Sequence, residues 1–131
     1  MNIELSESIS KCFSEHGALA RAIPGFKARQ AQLDMATAVQ GAIKDKAQLV
    51  VEAGTGTGKT FAYLAPALLA GKKVIVSTGT KALQEQLFHR DLPLVKKALR
   101  PMMKTALLKG RSNYLCINRL EVNGQHPPYD D

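Results

Sequence analysis

Apolar residues along the chain alternate between helical spacing and short continuous runs. Helical spacing predicts four helices, over residues 29–44, 61–69, 81–89 and 113–120. Between them lie three apolar runs typical of strands that are buried on both faces of a sheet. These runs are residues 48–52, 73–78 and 105–108. The order of elements predicts an α/β fold in which a parallel sheet lies between two layers of helices.

Other parts of the chain carry weaker or shorter patterns. Ile9, Phe13 and Leu19 have helical spacing and predict a short N-terminal helix, which Ser6 is suited to cap. Pro93 can start a further helical turn, which Pro101 is expected to stop. Residues 123–131 show no periodicity and are expected to form a loop. In the helix over residues 81–89, three side chains are expected to face inward: Ala82, Leu83 and Leu87.

The composition is that of a folded domain with excess positive charge. The 131 residues suit one domain with one core, and 45% hydrophobic and 22% charged residues are ordinary values. The net charge of +7 is uneven, because no acidic residue occurs between Asp91 and Glu121. The cations of this basic stretch are Lys96, Lys97, Arg100, Lys104, Lys109, Arg111 and Arg119. The stretch favours a polyanionic partner, and it equally fits a solvated surface whose acidic complement lies elsewhere.

The cysteines and the absence of long apolar runs bear on the cellular compartment. Cys12 and Cys116 are far apart in the sequence, and no signal peptide pattern opens the chain. No apolar run approaches the ~20 residues needed to cross a bilayer. The sequence therefore predicts a cytoplasmic protein without membrane contact, whose thiols are reduced.

A glycine-rich loop joins the first predicted strand to the helix that follows it. Its residues are Ala53, Gly54, Thr55, Gly56, Thr57, Gly58, Lys59 and Thr60. Glycine at alternate positions lets successive backbone N–H groups turn toward one anion at the helix N-terminus. The Lys59 ammonium would then lie between the β- and γ-phosphates, and the Thr60 hydroxyl would hold Mg²⁺. The loop predicts a site for a nucleoside triphosphate with Mg²⁺, in which Lys59 and Thr60 are catalytic.

Residues 51–60, Val-Glu-Ala-Gly-Thr-Gly-Thr-Gly-Lys-Thr, closely resemble motif I of the DinG- and YoaA-type bacterial DNA helicases, relatives of the XPD helicase. The resemblance is closest to the YoaA type. It implies a partial RecA-like domain with three α/β/α layers over residues 23–120, after a helical extension at 1–22 and before a loop or truncated tail at 121–131. It also implies the ATP-binding part of a 5′→3′ DNA helicase that acts in repair or replication on single-stranded or forked DNA.

Residues 23–32, Ile-Pro-Gly-Phe-Lys-Ala-Arg-Gln-Ala-Gln, are similar to the Q motif that recognises adenine in superfamily-two helicases. The resemblance makes Gln32 the residue that reads adenine, since a side-chain amide can both donate to and accept from the base. Phe26 could stack on the adenine ring. Both assignments rest on the resemblance, because an isolated glutamine on a helix carries no such signal.

A third matching segment, residues 76–87, resembles motif Ia, which contacts the nucleic-acid backbone in these helicases. The implied contacts are Thr78, Thr80, Lys81 and Gln84. Hydroxyl and N–H groups at a helix N-terminus suit phosphates and carry no base information. Thr80 is equally suited to cap the helix, and the two roles are compatible.

A fourth segment, residues 108–116, resembles the sequence that introduces the iron–sulfur domain of this family. Cys116 would be the first of four thiolate ligands of a [4Fe–4S] cluster, and no cysteine follows it in this chain. Lys109 and Arg111 would lie near the path of single-stranded DNA. Their alternative interpretation is a solvated basic turn.

The sequence lacks parts that ATP hydrolysis requires. An acidic Walker B strand and an arginine from a second domain are absent, so we expect weak nucleotide binding and negligible hydrolysis by this chain alone. Two other functions stay open: a P-loop ATPase or kinase of another class, and a truncated nucleic-acid-binding module that uses its basic stretch.

Overall fold

The structure, a computed structural model, describes residues 9–56, 58–99 and 102–125 of the chain. Residues 9–12 are helical. The helices that follow are α1 (Ala18–Ala22), α2 (Gln30–Asp45), α3 (Lys59–Leu69), α4 (Lys81–Gln86), α5 (Leu92–Leu99) and α6 (Ile117–Gln125). A π-helical turn, Leu87–Asp91, joins α4 to α5, and a 3₁₀ turn, Arg111–Asn113, precedes α6.

The N-terminal segment folds back on itself and buries its three periodic apolar residues. Ile9, Phe13 and Leu19 are at most 3% exposed, as their spacing predicts. The segment is not one continuous helix, because the chain turns after Cys12 and α1 begins only after Gly17. The predicted cap, Ser6, lies outside the described residues.

Helices α2 and α3 form the closest pair in the described structure, and both match their sequence predictions to within two residues. Small side chains that are completely buried, Ala36 on α2 with Ala62 and Ala65 on α3, allow the helix backbones to approach. Gly71 follows the C-cap of α3 and has a φ of 63°, which suits the residue after a helix C-cap. The pair places the glycine-rich loop against the first turn of α2.

One hydrophobic core lies between α1, α2, α3 and α5. Leu64 and Leu68 contribute from α3 and Val95 from α5, and each is at most 7% exposed. Ile9, Phe13 and Leu19 belong to the same core. Burial at these positions fixes the direction of α3, whose N-terminus carries Lys59.

The third predicted helix is interrupted. Helix α4 ends at Gln86, and backbone bonding changes to the wider π pattern through Asp91 before α5 begins. The prediction that Ala82, Leu83 and Leu87 face inward is wrong for the first two, since Ala82 is exposed and Leu83 is 52% exposed. Helix α4 packs closely only on the π turn in the described structure, so no second layer covers this side of it.

The three predicted strands are absent as hydrogen-bonded strands: residues 9–56, 58–99 and 102–125 contain no strand. Side-chain exposure still alternates in the first two runs, as in an extended chain. Val50 is 97% exposed between Leu49 and Val51 at 43% and 40%, and Ile75 is 91% exposed between its half-buried neighbours. In the described structure, no helix layer covers one side of these runs, and no neighbouring strand forms backbone hydrogen bonds with them. A buried parallel sheet requires both.

The C-terminal part of the described chain is open. Helix α6 begins four residues later than the predicted helix and packs closely on none of the other described helices. Its apolar residues Ile117, Leu120 and Val122 are more than half exposed. Across the described residues, no helix has both the length and the apolar character needed to cross a membrane.

Candidate nucleotide-binding site and adjoining basic surface

The glycine-rich loop forms a tight turn directly before α3. Gly56 and Gly58 have φ values of 76° and 79°, which side-chain-bearing residues rarely adopt. The Gly58 carbonyl accepts the first backbone hydrogen bond of the helix from Ala62 N, at 3.2 Å. Thr57, a predicted member of the site, lies outside the described residues. This arrangement places the loop at the positive end of an 11-residue helix.

Lys59 bends back over the loop. Its Nζ donates to the Ala53 carbonyl at 2.5 Å and to the Gly54 carbonyl at 3.2 Å. The Lys59 side chain is exposed, and Gly54 and Thr55 are exposed beside it. The ammonium is therefore held at the open side of the loop, where an incoming anion would meet it.

Gln32 lies against the loop instead of projecting into solvent. It is only 5% exposed, and its Nε2 donates to the Gly58 carbonyl at 3.0 Å. A Cβ on residue 58 would lie 2.0 Å from that nitrogen, so glycine is required there by space as well as by backbone angle. The amide that is predicted to read adenine thus holds the glycine-rich loop. Phe26, which precedes α2 in the sequence, is half-buried against the core.

Arg29 is a second residue that reaches the loop, and the sequence analysis missed it. It is the N-cap residue of α2, and its Nη1 donates to the Gly56 carbonyl. One sequence signal could have identified it. A cation at a helix N-terminus opposes the helix dipole, so an arginine there needs another reason to be present. Arg29 and Gln32 together hold both positive-φ glycines of the loop.

Thr60 lies on the first turn of α3 and interacts with Tyr63 one turn further along. Burial raises the pKa of the Tyr63 phenol, a hydrogen bond with Thr60 opposes that rise, and the Asp91 carboxylate adds to it. Asp91 is 3% exposed and accepts from Gln86 Nε2 at 3.1 Å and from Arg90 Nε at 2.9 Å. The charge of the π turn that follows α4 therefore acts on the tyrosine that interacts with Thr60.

The predicted contacts of the third segment lie around the N-terminus of α4. Thr80 caps the helix, its Oγ1 accepting from Leu83 N at 3.2 Å, while Lys81 is exposed and Thr78 half-buried. Gln84 does not point to solvent: its Nε2 donates to the Leu108 carbonyl at 3.1 Å. The helix is therefore tied to the segment that leads to Cys116.

Lys109 and Arg111 belong to the turn beside that contact. Lys109 Nζ lies 2.5 Å from Glu85 Oε1, and the Lys109 N–H donates to the Tyr114 hydroxyl at 2.9 Å. Arg111 is exposed and starts the 3₁₀ turn. The basic stretch contains no acidic residue, and Glu85 on α4 supplies the carboxylate that pairs with Lys109.

Cys116 is exposed, and the described residues do not fit a complete iron–sulfur cluster. Such a cluster takes four thiolates, and the second cysteine, Cys12, is buried in the N-terminal segment. Nor, within the described ranges, do three His, Cys, Asp or Glu side chains converge on a point that could hold a metal ion.

The two thiols are expected to differ in reactivity by about tenfold or more. Burial raises the pKa of the Cys12 thiol, more strongly than the nearby Arg21 lowers it, whereas Cys116 is exposed. A chromogenic disulfide reagent should therefore titrate one thiol quickly in the folded protein and the second only on denaturation. Cys116→Ser should remove the fast phase and Cys12→Ser should leave it, while two equally fast thiols would contradict the burial of Cys12.

A glycine loop of this sequence at the N-terminus of a buried helix is typical of the P-loop class of nucleotide-binding proteins. The sequence profile of the DEAD/DEAH box helicases matches residues 30–126. The chain belongs to this family, which implies a RecA-like fold of which the described residues show the helices without a sheet.

Relatives agree with the resemblance found in the sequence. The chain is 60% identical over 119 residues to the ATP-dependent DNA helicase YoaA of Haemophilus influenzae, covering 91% of this chain and 19% of that protein. It is 67% identical over 109 residues to YoaA of Escherichia coli, covering 83% and 17%. Identity to the ATP-dependent helicase DinG of Mycobacterium tuberculosis is 44% over 135 residues, covering 97% and 20%. The chain thus spans about a fifth of the length of these relatives. No solved structure matches it significantly.

Proposed function

We propose that this chain is the nucleotide-binding portion of an ATP-dependent DNA helicase of the YoaA and DinG type. The observation that carries the proposal is the loop over residues 53–60, which lies at the N-terminus of α3 and is held from α2 by Arg29 and Gln32. Family membership supports it, and relatives that share up to 67% identity are named ATP-dependent DNA helicases.

In the proposed site, the backbone N–H groups of the loop and the α3 N-terminus bind the phosphates. Lys59 exchanges its two carbonyl partners for phosphate oxygens, which are stronger acceptors for an ammonium group. Thr60 would hold Mg²⁺, which supplies charge neutralisation between the β- and γ-phosphates. Gln32 would read adenine with the same side-chain amide whose Nε2 holds Gly58.

The nucleic-acid partner in this proposal is single-stranded or forked DNA, bound through the backbone. The proposed contacts are Thr78, Thr80, Lys81, Gln84, Lys109 and Arg111. In the longer protein, Cys116 would be one ligand of a [4Fe–4S] cluster, translocation would run 5′→3′, and the enzyme would act in DNA repair or replication in the cytoplasm. These finer assignments follow the resemblance of residues 22–120 to the iron–sulfur helicases.

The test is a titration of fluorescent adenine and guanine nucleotides, with Mg²⁺, into the chain and three variants. Lys59→Ala is expected to weaken binding of both nucleotides at least tenfold, because a charge-assisted contact to phosphate is lost. The matched control, Lys72→Ala, removes an exposed lysine just beyond the other end of α3 and should bind like the unchanged chain.

Gln32→Ala separates the two roles of the glutamine. Loss of adenine binding alone would assign it to base recognition, and equal loss of adenine and guanine nucleotides would assign it to holding the loop. Nucleotide binding that is indifferent to both Lys59 and Gln32 would refute the proposed site. Binding of single-stranded DNA without any response to nucleotide would favour the alternative of a nucleic-acid-binding module.

A further inference from the structure

Glu85 lies between two basic side chains on the surface that carries the proposed nucleic-acid contacts. Its Oε1 is 2.5 Å from Lys109 Nζ, and its Oε2 is 3.2 Å from His89 Nε2. His89 is one helical turn further along the same helical segment, whereas Lys109 is 24 residues away in the sequence. The two carboxylate oxygens are therefore each used by a different basic group.

The contact with Lys109 is part of a fixed arrangement. Gln84, the neighbour of Glu85, donates to the Leu108 carbonyl, and the Tyr114 hydroxyl accepts from Lys109 N–H. The first bond joins α4 to the residue before Lys109, and the second closes the segment over residues 108–114 on itself. The ammonium reaches Glu85 because the segment over residues 108–114 is held in place, so the ion pair is a built feature of this surface.

A carboxylate in this position presents to Lys109 the same chemistry as a phosphate oxygen: a negatively charged acceptor at hydrogen-bond distance. The pKa of Glu85 is lowered, chiefly by its hydrogen bond with Lys109 and further by the charges of Lys109 and His89. The carboxylate therefore stays ionised at neutral pH, where it competes with any other anion for Lys109.

We propose that Glu85 is an internal competitor of nucleic-acid phosphate: it occupies Lys109 in the free protein and is displaced when a DNA backbone phosphate binds there. The inference rests on the proposed function, because it assigns Lys109 to DNA. Until DNA binds, Glu85 neutralises the charge of Lys109 on the surface around α4. A small isolated anion therefore gains less binding free energy from Lys109 than a polyanion that also contacts Lys81 and Arg111.

The test measures binding of a fluorescent single-stranded oligonucleotide as a function of salt. Glu85→Gln is expected to raise affinity about two- to fivefold at low salt, since an exposed ion pair is modest in strength. The gain should shrink as salt rises, because salt screens the Glu85–Lys109 pair that opposes binding in the unchanged chain, so the slope of log affinity against log salt should be steeper for Glu85→Gln. Glu121→Gln removes the same charge from α6 and should leave the slope unchanged.

Lys109→Met supplies the decisive comparison. In that background, Glu85→Gln should no longer steepen the slope, because the cation it would release is gone. A slope change that persists without Lys109, or no slope change with it, would overturn the inference while leaving the proposed function intact. If no oligonucleotide binds to the unchanged chain or to any variant, DNA binding by this surface is refuted and the inference fails with it.

A second readout does not depend on affinity. The Glu85 carboxyl can be titrated by NMR in the free chain and with saturating oligonucleotide. We expect its pKa to rise when DNA takes Lys109, and to rise also, though less, in Lys109→Met without DNA, where no phosphate charge is added. A Glu85 pKa that stays low in the complex would show that the ion pair survives binding, which contradicts displacement.

Discussion

Replacing Gly58 by alanine is expected to weaken nucleotide binding at least tenfold and to destabilise the fold by about 1–2 kcal/mol. The φ of 79° at this position costs an alanine free energy in the folded state. The new Cβ would also lie 2.0 Å from Gln32 Nε2 and 2.9 Å from its Cδ, so the glutamine side chain must move away. The loop then loses one of its two contacts from α2, and its N–H groups no longer converge. Nucleotide titration and thermal unfolding measure the two effects.

Gly71→Ala is the matched control for that variant. Gly71 lies just beyond the other end of α3, also has positive φ at 63°, and has open space around its Cβ position. It should lose about the same stability as Gly58→Ala and keep its nucleotide affinity. Equal nucleotide affinities of the two variants would contradict the contact between Gln32 and the loop.

Gly17→Ala is expected to destabilise the chain by about 3 kcal/mol, which lowers the melting temperature by on the order of 10 °C. The φ of Gly17 is −73°, so backbone freedom is not the reason for glycine here. The reason is space, because a Cβ would lie 2.2 Å from the Lys11 carbonyl oxygen and 2.5 Å from that of Cys12. Backbone atoms cannot step aside as a glutamine side chain can, so the N-terminal segment must leave the core. Thermal unfolding followed by circular dichroism measures the change.

Gly41→Ala controls for the substitution itself. Gly41 lies inside α2, and nothing is within 4 Å of its Cβ position. Alanine has the better helix propensity, so this variant should be more stable by about 0.5–1 kcal/mol. If Gly17→Ala unfolded at the same temperature as the unchanged chain, the packing of the N-terminal turn described above would be wrong.

The helices with a strong apolar stripe were predictable from the sequence. In α2 and α3 the spacing of apolar residues coincides with the side that packs on the core, so that the local pattern and the tertiary environment agree. The same holds for Ile9, Phe13 and Leu19. The prediction of inward-facing Ala82 and Leu83 was wrong because the pattern identifies a side and does not establish that another layer covers it.

The strands were not predictable in the same way, since a strand depends on a partner that the local sequence does not contain. The runs around Val50 and Ile75 have the composition of buried strands, and their exposure alternates, yet the described part of the chain gives neither a neighbour in a hydrogen-bonded ladder. Membership of the helicase family implies a RecA-like fold with a sheet, and the apolar composition of these runs suits the buried strands of such a sheet.

At the site, the glycine loop with Lys59 and Thr60 was predictable because its chemistry is encoded in eight consecutive residues. The contacts of Arg29 and Gln32 with the loop join residues 27 and 26 positions apart, and that of Glu85 with Lys109 joins residues 24 apart. Such contacts depend on how helices pack, which periodicity does not report. The roles in adenine recognition, DNA binding and cluster ligation stay predictions.

The π turn between α4 and α5 has a consequence for how this sequence is aligned with others. Its wider bonding pattern takes up one residue more per turn than an α-helix, in which each residue turns ~100°. Val95, which is completely buried, lies on α5 directly after this turn. Because the π turn absorbs the extra residue, an aligned sequence with a single-residue gap between positions 87 and 91 should form one uninterrupted helix in which the positions after the gap keep the faces that they have in α5 of this chain.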